Sequence, residues 1–269
     1  SELMFIANQI KNKLKKQDDF NKVGWIIDRN VNITNVCISF CKFCNFCRKK
    51  SDADTYITSV EDYRKKIIEL YNTGGRQLLL QGGLHPDLKI DFYENLFKTL
   101  KTEFPDLKLH ALGPPEIVHI SKISGITFEQ TLKRLIYAGL DSLPGAGAEI
   151  LVDRVRKIVS PAKCSTDEWL EVMKIAHIIN IPTSATMMFG HVETVEERIE
   201  HLMKLRNLQA LKPSDSYGFV TFIPWPFQSE GTKIGKDFEI KFIDAEEYIR
   251  TIALSRIILV NIANIQTSW

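Results

Sequence analysis

"VNITNVCISFCKFCNFC", residues 31–47, joins a run of strand-forming residues directly to four cysteines, Cys37, Cys41, Cys44 and Cys47. The rest of the chain holds one more cysteine, Cys164. In a reducing compartment, clustered cysteines bind metal or carry out redox chemistry more often than they form disulfides. Thiolates at this spacing suit an iron–sulfur cluster or zinc, but a structural zinc site normally takes two separated ligand pairs, and no second pair follows. The stretch therefore favours an iron–sulfur cluster over zinc or metal-free thiols.

Outward from this loop, strand-like and helix-like segments alternate along the chain. The strand candidates are residues 31–36, 76–81, 107–112, 140–144, 183–189, 217–223 and 261–266. Several helices between them begin with a hydroxyl residue three positions before an acidic or amide residue, the capping-box spacing or a near relative of it, at Ser59, Thr127, Ser165 and Thr194. This alternation predicts parallel strands joined by right-handed crossovers.

The segments that follow the strands decide between a barrel and a doubly wound sheet. QGGLHPD, GPPEI, GAGAE, GHVET and PWPFQ place glycine, proline, histidine, glutamate or an aromatic residue after nearly every strand. A barrel draws ligand groups from most of its strands toward one face, whereas a doubly wound sheet gathers them at a switch point. We therefore expect an α/β fold, a TIM-like (βα) barrel in one domain over residues 1–269. We expect the barrel to be incomplete at its C-terminus, because the chain stops after the seventh strand.

Composition excludes several classes of protein. The chain has 269 residues, of which 44% are hydrophobic and 25% charged, with a formal net charge of +2. Such values are typical of an ordinary globular protein. The sequence predicts no membrane span and no signal peptide, and its scattered basic residues predict no nucleic-acid partner. We expect a cytoplasmic protein.

Two histidines and one glutamate are candidates for acid–base or ligand-binding roles. His85 and His191 each follow a strand beside glycine or proline, where a side chain can reach the barrel mouth, although a lone histidine is more often a satisfied polar residue. Glu149 ends the small-residue segment GAGAE, where the backbone can approach a ligand and the carboxylate can accept hydrogen bonds from ribose hydroxyls. Its alternative role is to cap the following helix.

Three further side chains are candidates for binding substrate. Arg154 and Arg156 can each pair with a carboxylate, since the guanidinium fork matches it, although arginines are more often solvated on the surface. Trp225 lies between two prolines and can either stack on an aromatic substrate or pack the barrel rim.

The cysteine motif also resembles a known superfamily. Cys37-x3-Cys41-x2-Cys44, with the aromatic Phe43 before the third cysteine, looks like the signature of the radical S-adenosylmethionine (SAM) enzymes. The resemblance implies that these three cysteines hold a 4Fe-4S cluster whose fourth iron binds SAM, within a partial or full βα barrel. It also implies cofactor contacts from Phe43 and from the glycine-rich segment Gln81, Gly82 and Gly83. Cys47 departs from the expected pattern, and we interpret it as a bystander rather than a ligand.

Longer segments narrow the resemblance to one branch of this superfamily. IDRNVNITNVC, QGGLHPDLKI, HALGPPEIVHI, LPGAGAEILVDRVRKIVSPAK, ATMMFGHVET, FIPWPFQSEGT and NIQTSW together look like the dehypoxanthine futalosine cyclases of menaquinone biosynthesis. Aminofutalosine synthase and FO synthase share related segments and stay as alternatives. A non-catalytic iron–sulfur protein is a further alternative, because electron-transfer clusters also use closely spaced cysteines.

The resemblance implies a specific reaction and partner. A 5′-deoxyadenosyl radical takes hydrogen from the ribose C4′ of dehypoxanthine futalosine, the sugar radical adds to the benzoate ring, and loss of an electron and a proton restores aromaticity. His85, His191 or Glu149 would accept the proton, and Arg154 or Arg156 would bind the benzoate carboxylate. An external electron donor such as flavodoxin or ferredoxin would reduce the cluster.

Overall fold

Short apolar strands and amphipathic helices alternate in the computed structural model, which describes residues 2–15, 19 and 22–267. The last two residues of the segment NIQTSW lie outside this range. The strands are β1 (Asp28–Asn32), β2 (Gln77–Gln81), β3 (Lys108–Ala111), β4 (Thr183–Phe189), β5 (Phe219–Pro226) and β6 (Asn264–Ile265). The helices are α1 (Glu2–Leu14), α2 (Val60–Asn72), α3 (Ile90–Glu103), α4 (Pro114–Ser124), α5 (Phe128–Ala138), α6 (Asp153–Val159), α7 (Thr166–Ile178), α8 (Val195–Ala210), α9 (Lys233–Asp237) and α10 (Ala245–Ile258).

All strand pairs of the two sheets are parallel. One sheet has the order β1-β2-β3 and the other β4-β5-β6. Single parallel bridges, His110 to Ser142 and Leu143 to Thr183, join the sheets through residues 142–143. The result is one continuous arc of strands with helices in the crossovers, which confirms the predicted α/β architecture of a partial TIM-like barrel.

The fourth predicted strand, residues 140–144, is present only as these two bridges. Pro144 has no N–H group to continue a ladder, and Gly145 follows it with its N–H bound to the Ser184 side chain at 3.0 Å. The short strand predicted for residues 140–144 is therefore reduced to two bridge residues, because the chain turns away as soon as it has linked the two sheets.

The first strand begins earlier and ends earlier than the predicted 31–36. The Thr34 hydroxyl donates to the Tyr56 carbonyl at 2.6 Å and accepts from the Val36 N–H at 3.1 Å. Such local side-chain bonds compete with the strand ladder and turn the backbone into residues 37–47, here called the cysteine loop. The loop therefore begins at the carboxyl end of β1, which is the face that carries active sites in βα barrels.

The predicted helix starts are confirmed. Thr127, Ser165 and Thr194 each form a complete capping box, and Ser59 caps α2 by accepting from the Asp62 N–H. The inward faces of the helices pack with the strands into one apolar cluster that extends through both sheets. None of the helices in the described part of the chain is both long and apolar enough to cross a membrane.

Candidate active site

The cysteine loop is fixed to the carboxyl end of β2 by backbone hydrogen bonds. The Ile38 N–H donates to the Leu84 carbonyl at 3.1 Å, and the Leu84 N–H donates to the Cys37 Sγ at 3.3 Å. Gly83 makes this approach possible, since a Cβ there would lie 2.2 Å from the Val36 carbonyl oxygen. The predicted glycine segment and the predicted cysteine cluster are therefore in direct contact.

One hydroxyl lies between two of the cysteine sulfurs. The Ser39 Oγ is 3.0 Å from the Cys37 Sγ and 3.4 Å from the Cys41 Sγ, and Ser39 is buried. Burial raises the pKa of the Cys41 thiol, an effect that the positive charge of Lys163 opposes. The sulfurs of Cys37 and Cys41 thus share one polar pocket at the base of the loop.

Cys47 is bound differently from the other thiols of the loop. Its Sγ donates to the carbonyl oxygen of Cys37 at 3.3 Å. The pKa of Cys47 is raised to about 12, mainly by burial and to a smaller extent by the nearby Cys37. All five cysteines are free thiols. In the described residues, no three His, Cys, Asp or Glu side chains already lie in a metal-binding arrangement.

A second loop, residues 145–149, contributes a buried carboxylate. The Glu149 side chain is 5% exposed, and its Oε1 accepts from the Lys163 Nζ at 2.8 Å. Its Oε2 is buried and has no hydrogen-bond partner within the described structure. The Glu149 backbone adopts a left-handed conformation, with φ of 42°, which is uncommon for a residue other than glycine and concentrates at functional sites.

Two charged residues of this region were not singled out from the sequence. The Lys163 Nζ lies 5.1 Å from the centre of the Phe43 ring, within the range of a cation–π contact, and so links the cysteine loop to Glu149. Glu116, at the start of α4, is buried, and this burial raises the pKa of its carboxyl to about 7. The sequence marks these residues only by their position. Lys163 ends the segment VSPAK, and Glu116 lies in the segment GPPEI, which follows a strand.

The two candidate histidines are both buried but differ in their bonding. His85 accepts the Asp87 N–H at its Nδ1, at 3.1 Å. His191 is bonded at both ring nitrogens, with Nε2 at 3.0 Å from the Met188 carbonyl and Nδ1 at 2.8 Å from the Val192 nitrogen. Burial lowers the pKa of both histidines. Both are therefore neutral near pH 7.

The two candidate arginines are bound within the protein. Arg154, whose side chain is 50% exposed, forms a two-point ion pair with Glu197, with both N–O distances 2.6 Å. Arg156 is buried and donates only to backbone carbonyls and to a sulfur in the described residues, namely the carbonyls of Gly147, Ala148 and Cys164 and the Cys164 Sγ. A substrate carboxylate could reach either guanidinium only after these bonds break.

The remaining predicted residues lie at strand ends. Gln81 is the last residue of β2, and Gly82 follows it at a place where an added Cβ would lie 3.1 Å from the Thr34 backbone nitrogen. Trp225 is in β5, in register with Met188 of β4, and packs partly buried against the core. The structure therefore brings together the cysteine loop, the glycine segment, Phe43 and Glu149. Arg154 is not part of this group, since its half-exposed side chain pairs with Glu197.

Two family profiles cover most of the chain. The Radical SAM superfamily matches residues 31–205, and the CofH/MqnC C-terminal region matches residues 216–269. Among solved structures, the chain resembles methylornithine synthase (PylB), with a TM-score of 0.68 and 14% identity over 99% of this chain and 77% of that one. It also resembles the FeFe-hydrogenase maturase HydG of Carboxydothermus hydrogenoformans, with a TM-score of 0.69 and 15% identity over 99% and 58%. At these identities the structures support the fold alone.

Proteins with two different enzyme names are among the relatives of the chain. The chain is 39% identical over 272 residues to 5-amino-6-(D-ribitylamino)uracil--L-tyrosine 4-hydroxyphenyl transferase of Methanococcoides burtonii, covering 100% of this chain and 73% of that protein. It is 41% identical over 247 residues to cyclic dehypoxanthine futalosine synthase of Streptomyces coelicolor, covering 91% of this chain and 60% of that protein. The chain thus spans between three fifths and three quarters of these relatives. It belongs to the radical SAM superfamily and is an enzyme that uses a 4Fe-4S cluster and S-adenosylmethionine.

Proposed function

We propose that Cys37, Cys41 and Cys44 hold the 4Fe-4S cluster. The donor set fits this group, because three soft thiols lie on one loop whose base is already ordered by backbone bonds from the Leu84 region. The N–H and hydroxyl groups around Cys37 can donate to a thiolate sulfur, and such bonds tune iron–sulfur clusters. The bond from Cys47 to a backbone carbonyl supports its interpretation as a bystander.

The SAM site lies beside this loop in our proposal. Gly82 and Gly83 let the backbone approach the methionine part of the ligand, with Gln81 next to them. The unpartnered Glu149 Oε2 is placed to accept hydrogen bonds from the ribose hydroxyls of the adenosyl part. A buried carboxylate oxygen without a partner is costly, and a ligand hydroxyl would remove this cost. Phe43 would border the site from the cysteine loop.

The reaction that we propose is the oxidative cyclisation of dehypoxanthine futalosine to cyclic dehypoxanthine futalosine. The observation that carries this choice is the 41% identity to the Streptomyces coelicolor synthase, together with the CofH/MqnC C-terminal region. The bound cluster and SAM would supply a 5′-deoxyadenosyl radical that removes the hydrogen at ribose C4′. One electron from an external donor such as flavodoxin or ferredoxin would be needed for the reductive cleavage of SAM that forms this radical. When the benzoate ring regains aromaticity, one proton would pass to a base of the protein and one electron to a one-electron acceptor, such as the oxidised iron–sulfur cluster.

The chain must provide an acceptor for that proton. Glu149 is engaged by Lys163, and both ring nitrogens of His191 are bonded. His85 follows the carboxyl end of β2 and is neutral near pH 7. Its Nδ1 accepts the Asp87 N–H, so the neutral ring carries its own proton on Nε2, and the substrate proton would bind Nδ1 in place of this one backbone bond. We therefore propose His85 as the base.

A second reaction is favoured by a specific observation. The Methanococcoides burtonii transferase aligns with the whole of this chain at 39% identity. The name of that enzyme describes the transfer of a 4-hydroxyphenyl group from L-tyrosine to 5-amino-6-(D-ribitylamino)uracil. The two reactions differ in what the barrel mouth must accept, since the cyclase takes one substrate molecule and the transferase joins two.

An anaerobic assay of the reconstituted protein would distinguish these reactions. The protein, SAM and a strong reductant are incubated separately with dehypoxanthine futalosine, with 5-amino-6-(D-ribitylamino)uracil plus L-tyrosine, and with the carboxyvinyloxybenzoate used by aminofutalosine synthase. Mass spectrometry should find a product lighter than dehypoxanthine futalosine by two hydrogens, with 5′-deoxyadenosine formed alongside. A joined aminouracil–hydroxyphenyl product would instead assign the transferase reaction, and an adenosine adduct would assign the synthase.

A further inference from the structure

One lysine connects the two halves of the candidate active site. Lys163 follows α6, and its ammonium lies between the Glu149 carboxylate at 2.8 Å and the Phe43 ring at 5.1 Å. Its side chain is only 15% exposed. Neither the cysteine loop nor the loop 145–149 contains Lys163, so the residue is a separate support that contacts both.

Lys163 provides the positive charge beside the buried acidic groups of Glu149, Glu116 and Cys41. Burial acts to lower the pKa of Lys163, but the Glu149 carboxylate, with smaller effects from the acidic groups of Cys41 and Glu116, outweighs burial and raises it. Lys163 is therefore an ammonium ion, and it is placed among two buried carboxyl groups and a buried thiol. A buried carboxylate needs such a partner, because an uncompensated buried charge is strongly destabilising.

The position of the Glu149 carboxylate also depends on Lys163. The Glu149 backbone is held in a left-handed conformation, and its carbonyl accepts the Met188 N–H at 3.0 Å. These contacts fix the main chain, but the bond to Lys163 is the one that holds Oε1. With Oε1 occupied, Oε2 is the oxygen that remains for a ligand.

We propose that Lys163 is a positioning residue for the adenosyl ligand. It orients the Glu149 carboxylate, so that Oε2 accepts the ribose hydroxyls, and it connects that carboxylate to the cysteine loop through Phe43. This inference rests on the proposed SAM site, in which Glu149 binds the ribose. Lys163 itself acts through Glu149 and does not contact the reacting atoms.

A double-mutant cycle on the reconstituted, iron-loaded protein tests this role. SAM dissociation constants are measured by anaerobic equilibrium dialysis for the wild type, Lys163→Met, Glu149→Gln and the double variant. Lys163→Met should weaken SAM binding by about tenfold or more, the loss expected when a charge-assisted bond no longer supports a ligand contact. In the Glu149→Gln background the same change should weaken binding less than about twofold, because residues that act as a unit are not additive.

Two further measurements separate positioning from a general structural effect. A SAM analogue without the 2′- and 3′-hydroxyls should bind the wild type more weakly than SAM, and Lys163→Met should lose this discrimination. Iron content should be unchanged in Lys163→Met and in the matched control Lys157→Met, a change to an exposed lysine of α6 that should also leave SAM affinity unchanged. If Lys163→Met fails to hold iron, the cycle is run with Lys163→Gln, for which the same non-additivity is expected.

The outcomes distinguish the two levels of the proposal. Wild-type SAM affinity in Glu149→Gln would overturn the assignment of Glu149 to the ribose. Weak binding in Glu149→Gln but wild-type binding and discrimination in Lys163→Met would overturn the role of Lys163 alone. Equal losses from the lysine change in both backgrounds would also overturn it, since Lys163 would then act independently of Glu149.

Discussion

Replacing Arg156 with methionine should destabilise the protein far more than the same change at Arg154. Arg156 is buried and donates to the carbonyls of Cys164, Gly147 and Ala148 at distances from 2.5 to 3.2 Å. Its removal leaves these carbonyls without a donor inside the protein, and each buried unsatisfied group costs about 1–3 kcal/mol. Because such terms do not add fully, we expect a loss of about 3–5 kcal/mol in the free energy of unfolding.

Arg154 provides the matched control. Its side chain is 50% exposed and pairs with Glu197, whose side chain is 13% exposed, so we expect a loss near the upper end of the about 0–1 kcal/mol that exposed ion pairs contribute. The assay is urea unfolding of both variants, followed by far-ultraviolet circular dichroism, with stability taken from the midpoint and slope. Equal stability of the two variants, combined with weaker substrate binding in Arg156→Met, would refute this reasoning and return Arg156 to the substrate site.

Four other predictions follow from the site and its surroundings. Gly83→Ala should lower the iron content, because the added Cβ would lie 2.2 Å from the Val36 carbonyl oxygen, next to the cysteine loop. Gly24→Ala is the control, since nothing lies within 4 Å of the added Cβ, and iron analysis of both variants decides. Cys47→Ala should retain wild-type iron content and a SAM-dependent change in the EPR signal, and loss of the cluster would show that Cys47 is a ligand. Ser39→Ala should make the reduction potential of the cluster more negative, by an amount on the order of tens of millivolts, since a hydrogen bond from the hydroxyl to a thiolate sulfur is lost. An unchanged potential in a redox titration would contradict this. Burial lowers the pKa of His201 from 6.5 to about 3, so the unfolded state binds more protons than the folded state between these values. The free energy of unfolding should therefore fall as pH drops below about 6.5, and urea titrations should show a weaker dependence of this free energy on pH for His201→Gln than for the wild type.

Much of the fold could be predicted from the sequence because its signals are local. Capping boxes depend on residues three positions apart, and strand β4 was predicted with the bounds that the structure gives it, Thr183–Phe189. Strand ends that depend on tertiary contacts were not predictable in this way. The Thr34 hydroxyl ends β1 by bonding to Tyr56, a residue distant in sequence. The segment around Pro144 has a strand-like composition but serves as a link between sheets.

The candidate site was predictable where a motif has a fixed spacing. The cysteines, the glycine segment and Glu149 all lie on loops after strands, and the topology brings them together. Lys163 and Glu116 were missed because a lone lysine or glutamate carries no spacing signal, and their importance arises from burial beside each other. Arg156 was a candidate to pair with a substrate carboxylate, with exposure on the surface as its alternative. In the structure it is buried and donates to backbone carbonyls, a choice of partner that sequence does not reveal.

We propose that this radical SAM enzyme abstracts the C4′ hydrogen of dehypoxanthine futalosine. The most direct measurement uses substrate with deuterium at C4′ in an anaerobic reaction of the reconstituted protein with SAM and reductant. Our account predicts that the 5′-deoxyadenosine formed carries one deuterium and that cyclic dehypoxanthine futalosine accumulates with it. Formation of 5′-deoxyadenosine without deuterium, and with the substrate recovered unchanged, would contradict the proposed reaction.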